Sequence, residues 1–265
     1  MLIRRHLLTA ILGAALLASG CRAATEAPAH RGRVRVAAAS DLNAALSDVI
    51  ARFGGAHDVD VIVSYGSSGS FYAQLLNQAP FDLFLSADVA YPNQLAARGL
   101  TLPQSEFTYA IGHVAVWAPA SSALDVEHDG LQALTQASVA HVAIANPEYA
   151  PYGRAAVAAM QAAGVYDRVR AKLVIGENVA QTMQFVQSGA ADVGIVGLSL
   201  ALAPSAKGKG RLFEIPASTY PRLEQGGTIL KGAADVDAAR AFRGFLLSAD
   251  GQAILKQYGF SSPDR

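Results

Sequence analysis

Short runs of hydroxyl side chains and glycine occur four times in the sequence, each between a segment that predicts a strand and one that predicts a helix. Such a run can bind an anion, because the first N–H groups of a helix lack partners within the helix and Ser and Tyr hydroxyls add further donors. Helix N-termini also carry a partial positive charge. The four runs are residues 39–41, 66–70, 146–153 and 176–179. If they meet in one cleft, they form a site of neutral donors that suits a fully deprotonated dianion.

The side-chain donors that these runs offer are Ser40, Ser68 and Tyr152, none of which is a cation. An anion bound there would be met by hydroxyl protons and backbone dipoles alone. Helix capping explains each run when it is taken singly, because Ser, Asp and Asn are preferred at helix N-termini. The residues open to that alternative are Ser40 or Asp41, Ser68 or Ser70, and Asn178.

The segments around these runs alternate between apolar strands and amphipathic helices. From residue 34 to 85 the order is strand, helix, strand, helix, strand, and a similar order returns from residue 141 to 196. This alternation predicts two α/β lobes, each with a mainly parallel sheet flanked by helices. We place one lobe at residues 31–112 plus 226–265 and the other at 113–225, with two chain crossings between them. A ligand is then expected between the lobes, at the carboxyl ends of strands.

The first 20 residues are typical of a secretory signal peptide. Two arginines precede an apolar run at residues 7–17, which is too short to span a bilayer. The run is followed by Ala-Ser-Gly-Cys at residues 18–21, which is similar to the cleavage box of a bacterial lipoprotein and makes Cys21 the candidate lipidation site. An ordinary signal peptide, cut near Ala-Pro-Ala at residues 27–29, is the alternative. Both predict a periplasmic protein, and residues 21–32 are expected to be a tether.

Composition narrows the class of protein. The 265 residues include 52% hydrophobic and 16% charged side chains, so a large core is expected and disorder is excluded. Lys and Arg number 21 and Asp and Glu number 21. Because there is no basic excess to neutralise phosphates, we expect no nucleic-acid partner. The single cysteine excludes an internal disulfide.

Five motifs occur in the order and register found in one family of transport proteins. They are Ala37-Ala38-Ala39-Ser40, Tyr65-Gly66-Ser67-Ser68-Gly69, Asp82 to Asp88, Asn146-Pro147-Glu148 with Pro151-Tyr152-Gly153, and Gly194-Ile195-Val196. Over about residues 34–260 the chain resembles the periplasmic molybdate-binding component of molybdate ABC transporters. The resemblance implies a type II periplasmic-binding-protein fold that closes on a tetrahedral oxyanion, molybdate or tungstate, and delivers it to an ABC permease. It further implies a monomer without a cofactor and without enzyme activity.

The resemblance also implies ligand residues. Ser40 and Ser68 match hydroxyl donors of the family, and Val179 matches a position that donates its backbone N–H. One branch of the family has a tyrosine after the Gly-Ile-Val strand, where this chain has Gly197. Tyr152 resembles the arrangement of a second branch, in which the phenol comes from the opposite side. The only metal implied is molybdenum within molybdate, which these residues would hold through its oxygens.

Asp41 does not fit a site built of donors. A carboxylate that faces the ligand would repel it, whereas the second branch can carry Asn at this position. We therefore expect the Asp41 side chain to cap the helix and point away, so that only its backbone N–H faces the cleft.

The same residues support other functions less well. A binder of another oxyanion or of a small organic acid shares the fold, but an organic acid favours an Arg clamp and only Arg154 adjoins a run. A Ser-dependent hydrolase would need Gly-x-Ser-x-Gly, which residues 66–69 do not supply. The same loop lacks the Gly-Lys-Ser/Thr ending of a phosphate-binding loop. Residues 127–129, Glu-His-Asp, are more simply a solvated loop than a metal cluster.

Overall fold

The computed structural model describes residues 32–263, and the predicted signal peptide, the tether up to residue 31 and Cys21 therefore lie outside the described residues. Within that range ten strands form two sheets. The strands are β1 (Gly32–Ala39), β2 (Val59–Gly66), β3 (Leu83–Ser86), β4 (Phe107–Gly112), β5 (Val114–Pro119), β6 (Val142–Ala145), β7 (Leu173–Gly176), β8 (Val193–Gly197), β9 (Gly210–Glu214) and β10 (Leu223–Ile229).

Helices connect most of these strands. The α-helices are α1 (Asn43–Gly54), α2 (Ser68–Leu76), α3 (Ala90–Ala97), α4 (Val126–Asp129), α5 (Pro151–Ala162), α6 (Tyr166–Val169), α7 (Val179–Gln187), α8 (Leu198–Ala201), α9 (Val236–Leu247) and α10 (Ala249–Gln257). Short 3-10 helices lie at Ser40–Leu42, Gly130–Thr135, Arg170–Lys172 and Ala217–Thr219. No helix within residues 32–263 has both the length and the apolar character needed to cross a membrane.

The two sheets confirm the predicted two-lobed α/β fold. The first sheet has the strand order β2-β1-β3-β10-β4 and the second has the order β7-β6-β8-β5-β9. In each, three strands that alternate with helices pair in parallel, as their β-α-β order requires. The chain passes between the sheets twice, from β4 to β5 and from β9 to β10. The lobe boundaries at residues 113 and 226 stay a prediction, and β10 begins at Leu223.

The expectation of mainly parallel sheets is confirmed: in each sheet four of the five strands run in the same direction, and one strand runs against them. In the first sheet β10 runs antiparallel to β3 and β4, and in the second β5 runs antiparallel to β8 and β9. The cause is the crossing itself. A strand that arrives from the other lobe enters its sheet at the edge where the parallel strands end, so it must run in the opposite direction.

Each lobe has its own apolar core beneath its sheet. The first contains the buried side chains of Val34 and Val36 on β1, packed against Leu46 and Phe53 on α1. The second contains β6 and the buried face of α5, including Met160. Because the central strands are covered on both faces, their carboxyl ends and the helices that follow are held in place, and these ends carry the polar runs.

Candidate oxyanion-binding site

All four polar runs predicted from the sequence line one cavity between the lobes. Its volume is about 190 Å³ including its open mouth. The lining residues are Ala39, Ser40, Asp41, Gly66, Ser67, Ser68, Ala87, Ala150, Pro151, Tyr152, Asn178 and Val179. The structure therefore brings together the five residues named as ligand candidates, from the ends of β1, β2, β6 and β7.

Ser68 is placed as a donor rather than as a helix cap. It is the first residue of α2, and Ser67 is the residue that caps this helix, by accepting the N–H of Ser70. The buried Ser68 Oγ accepts the N–H of Ala87 at 2.9 Å. A hydroxyl that accepts in this way keeps its own proton for another partner. Ser68 is thus fixed in position with its proton available to the cavity.

The N-terminus of α7 supplies the donors of the second lobe. Asn178 caps the helix by accepting the N–H groups of Ala180 and Gln181, both at 3.1 Å. The capping alternative is therefore correct for Asn178. The N–H of Val179 has no hydrogen-bond acceptor among the residues that the structure describes. Ser40 Oγ, from the first lobe, accepts the N–H of Ala180 at 3.3 Å, so the two lobes already meet at this helix end.

Tyr152 reaches the cavity from the start of α5 and is buried. Burial, and then the negative charge of Asp41, raise the pKa of Tyr152 well above its usual value, so the phenol keeps its proton. Two glycines, Gly112 and Gly197, leave space for the side chain of Tyr152. A Cβ at Gly112 would collide with the hydroxyl, and a Cβ at Gly197 would lie 3.3 Å from ring atom Cε1. The position where one family branch has tyrosine therefore adjoins the ring of Tyr152 in this chain.

The expectation that Asp41 caps a helix and points away is wrong. The 3-10 helix Ser40–Leu42 has no side-chain cap. The fully buried carboxylate instead accepts the hydroxyl of Tyr152 at 2.9 Å, through Oδ2, and the same oxygen accepts the side-chain amide of Gln225. Its other oxygen, Oδ1, is buried without a hydrogen-bond partner. Residues distant in sequence thus decide where this side chain points.

Burial sets the protonation of this carboxyl group. It raises the pKa of Asp41 to about 6, although the hydrogen bonds from Gln225 and Tyr152 and the nearby backbone N–H groups of Asp41 and Leu42 act in the opposite direction. A carboxyl group with this pKa changes its charge close to neutral pH, in contact with the phenol of Tyr152.

Gln225 is a site residue that the sequence reasoning missed. It lies on β10, is fully buried, and donates to the hydroxyl of Tyr152 at 3.1 Å as well as to Asp41. The register of β10 against β4 shifts between Gln225 and Gly226, and such a bulge changes the direction of a side chain. A polar residue within an otherwise buried strand was the available signal.

The lobes touch each other around the mouth of the cavity. The N–H of Gly69 on α2 donates to the carbonyl of Tyr149 at 2.8 Å. Arg154 on α5 forms an ion pair with Asp88 at 2.6 Å. Ser199 donates its hydroxyl to the backbone carbonyl of Asp41 at 2.7 Å. The cleft is therefore closed, and Arg154 is occupied at the rim rather than acting as a clamp inside the cavity.

Two alternative chemistries find no support in the geometry of the cavity. Neither Ser40 nor Ser68 is hydrogen-bonded to a histidine, so neither is activated as a nucleophile. His128 and Asp129 bind each other at 2.9 Å on an exposed helix. Within residues 32–263, no three His, Cys, Asp or Glu side chains gather as a metal site.

Two lobes closed over a small cavity of hydrogen-bond donors define the class of solute-binding proteins. The chain belongs to one family within it, because the model of the family described as bacterial extracellular solute-binding protein matches residues 34–261.

The similarity to molybdate-binding proteins noted from the sequence is confirmed by relatives. The molybdate-binding protein ModA of Rhodobacter capsulatus is 35% identical over 88% of this chain and 90% of its own length. The protein of that name in Azotobacter vinelandii is 35% identical over 96% of both chains. The solved structure of the periplasmic molybdate-binding protein of Azotobacter vinelandii superposes with a TM-score of 0.80, at 33% identity, and covers 87% of this chain and 100% of that one.

Proposed function

We propose that this protein is the periplasmic molybdate-binding component of an ABC transporter, and that molybdate or tungstate binds in the cavity between the lobes. The observation that carries the proposal is the convergence of four donor runs on one closed cavity. The names and identities of the relatives support the choice of anion.

The proposed ligand set consists of neutral donors only. The hydroxyls of Ser40 and Ser68 each accept a backbone N–H and keep a proton for the ligand. The N–H of Val179 lies at the positive end of α7, where an anion is favoured. Tyr152 completes the set from the second lobe, and the backbone N–H of Asp41 is a further proposed donor. Such a set holds molybdate through its oxygens and leaves the molybdenum atom untouched.

The size of the cavity favours a small ion. The cavity is far smaller than the pockets of roughly 300–1,000 Å³ that hold drug-sized molecules. Tungstate and molybdate are nearly equal in size and charge, so the same donors should hold both. Sulfate is smaller, and each donor that it leaves unpaired costs about 1–3 kcal/mol.

Binding rather than catalysis is the proposed role, since no activated nucleophile adjoins the cavity. Closure of the lobes completes the donor set, and the closed form is what the permease would recognise. The permease, the periplasmic location and a lipid anchor at Cys21 belong to this proposal. No cofactor is part of it.

Parallel calorimetric titration with molybdate, tungstate and sulfate tests the function. Ser68→Ala and Tyr152→Phe should each weaken molybdate binding by about 1–3 kcal/mol, because each removes one hydrogen bond to a charged ligand. Ser70→Ala is the matched control, because Ser70 belongs to the same run but does not line the cavity. Unchanged affinity in Ser68→Ala, or equal binding of sulfate and molybdate, would contradict the proposal.

A further inference from the structure

One residue with an ionisable acid lines the proposed anion site, and the charge of its side chain would have the same sign as the ligand. Among the lining residues only Asp41 is ionisable as an acid near neutral pH, and none of them is a cation. Its carboxylate is fully buried, and its Oδ1 has no hydrogen-bond partner. A site for a dianion that also holds an ionised carboxylate would place like charges side by side in a medium of low polarity.

The surroundings of Asp41 do not neutralise it. The titratable groups that face it are the phenols of Tyr152 on α5 and Tyr109 on β4. The other side chains in contact are neutral: the amide of Gln225 on β10 and the hydroxyl of Ser199 on α8. In the described part of the chain no Lys, Arg or His forms an ion pair with Asp41. A proton is therefore the available means of removing its charge.

Tyr152 has two competing acceptors for one proton. In the structure its hydroxyl donates to Asp41 at 2.9 Å, and under the proposed function it donates to the oxyanion. An ionised Asp41 would hold this donor away from the ligand. A protonated Asp41 becomes a donor itself and releases the Tyr152 hydroxyl to the anion.

We propose that the site takes up its oxyanion together with one proton from solvent, and that this proton resides on the Asp41 carboxyl group in the bound state. The inference rests on the proposed function and adds a proton to it. The change is a simple protonation: carboxylate and proton form a neutral carboxylic acid, and the site with its dianion carries two negative charges instead of three.

The direction of the pH dependence follows from the ionisation of the ligand-free protein. Burial raises the pKa of Asp41 to about 6, so above that pH the carboxyl group is ionised and must gain a proton on binding. Affinity then falls by up to about tenfold for each pH unit of increase. Below about pH 6 the ligand-free protein already carries the proton, and affinity levels off.

Calorimetry counts the proton directly. Sodium molybdate is titrated into the wild-type protein at about pH 7.5 in two buffers that differ in ionisation enthalpy, and the difference in heat gives the number of protons taken up per anion. We expect about one proton for the wild-type protein and none for Asp41→Asn. The affinity of Asp41→Asn should be independent of pH and, at pH 7.5, equal to or tighter than that of the wild-type protein.

Glu177→Gln is the matched control, since it removes a negative charge from a neighbouring run at an exposed position. Its proton uptake should equal that of the wild-type protein. Infrared difference spectra of the wild-type protein provide a measurement that needs no variant. Addition of molybdate should produce the carbonyl band of a protonated carboxylic acid.

The outcomes separate the two proposals. Molybdate binding without proton uptake and without the new carbonyl band overturns the inference and leaves the proposed function intact. Proton uptake that persists in Asp41→Asn, or loss of binding in a folded Asp41→Asn, overturns the assignment to this residue. If neither molybdate nor tungstate binds the wild-type protein, the proposed function fails first.

Discussion

Two aspartates are buried in the same lobe, at opposite ends of the parallel strands of the first sheet. Their surroundings shift the pKa of the carboxyl group in opposite directions. Asp82 directly precedes β3, where the parallel strands begin, and Asp41 lies just after β1, where they end. Asp82 accepts two bonds from the guanidinium of Arg35, both at 3.1 Å, and the backbone N–H groups of Arg35 and Ala234, both at 2.7 Å. Asp41 has a phenol, an amide and no cation.

The pKa values of the two groups record this difference. Burial on its own raises the pKa of Asp82, but the hydrogen bonds from Arg35 and Ala234 outweigh it, and the pKa lies below its usual value. At Asp41 the effect of burial dominates, and the pKa rises to about 6. The contacts of Asp82 therefore keep it ionised, and the ion pair stabilises the fold. The contacts of Asp41 let it change its charge near neutral pH, at the strand ends where the ligand is proposed to bind.

The same substitution at the two positions should therefore have opposite effects. Asp82→Asn should lower the free energy of unfolding by about 3 kcal/mol, near the lower end for a broken buried ion pair, because Arg35 keeps 35% of its side chain exposed. Urea unfolding at neutral pH measures it. Asp60→Asn, which breaks the exposed pair with Arg33 beside it on the sheet, is the control, with an expected change within about 0.5 kcal/mol. Equal losses in the two variants would show that the Asp82 cluster is not a stabilising one.

Asp41→Asn should raise stability instead, and only above the pH at which the carboxyl group ionises. The folded-state pKa of about 6 lies above the ordinary value of 3.8, so ionisation costs the native state free energy. The cost is absent below about pH 4, grows between about pH 4 and pH 6, and reaches about 1–3 kcal/mol above that. Thermal unfolding of the ligand-free variant at about pH 4 and pH 8 measures it. A gain of the same size at both values would mean that charge is not the cause.

The smallest effect is expected for a charge pair that is neither buried nor inside the cavity. Arg154 and Asp88 join the lobes at the rim and keep 39% and 30% of their side chains exposed. Arg154→Gln should weaken molybdate binding by about 0.2–1 kcal/mol, less at high salt, because exposed pairs are screened by water and ions. Calorimetry at low and high ionic strength checks this. A loss of a hundredfold would mean that Arg154 contacts the ligand.

Local patterns were sufficient to predict most of the fold. The alternation of strands and helices over residues 34–85 and 141–196 predicted the parallel strands β1 to β3 and β6 to β8. The antiparallel strand β10, which begins at Leu223, lies outside both segments. Gln225, Gly226 and Gly227 interrupt the apolar pattern of this strand. Contacts with distant parts of the chain explain why two of these residues are there. Gly227 adjoins Phe107, and Gln225 binds Asp41.

The candidate site also contains residues that local sequence patterns predict and one side chain whose position they do not predict. Ser40, Ser68, Tyr152 and Val179 could be placed together because each follows a strand that ends at the cleft, and chain order alone predicts that meeting. Their roles as ligands stay a prediction. The position of the Asp41 side chain depends on Gln225, 184 residues further along the chain, and on a bulge in β10. No local pattern carries that information.

The pair of glycines that flank Tyr152 also limits how such a site can change. A side chain at Gly197 would start against the phenol ring, and one at Gly112 would meet its hydroxyl. The other branch of the family has its tyrosine at the position of residue 197. To reach that arrangement from this one, Tyr152 and Gly197 must both be replaced, and either replacement made alone is expected to weaken ligand binding. One intermediate crowds two rings into one space and the other has no phenol at all, so the two arrangements are separated by a step in which binding is impaired.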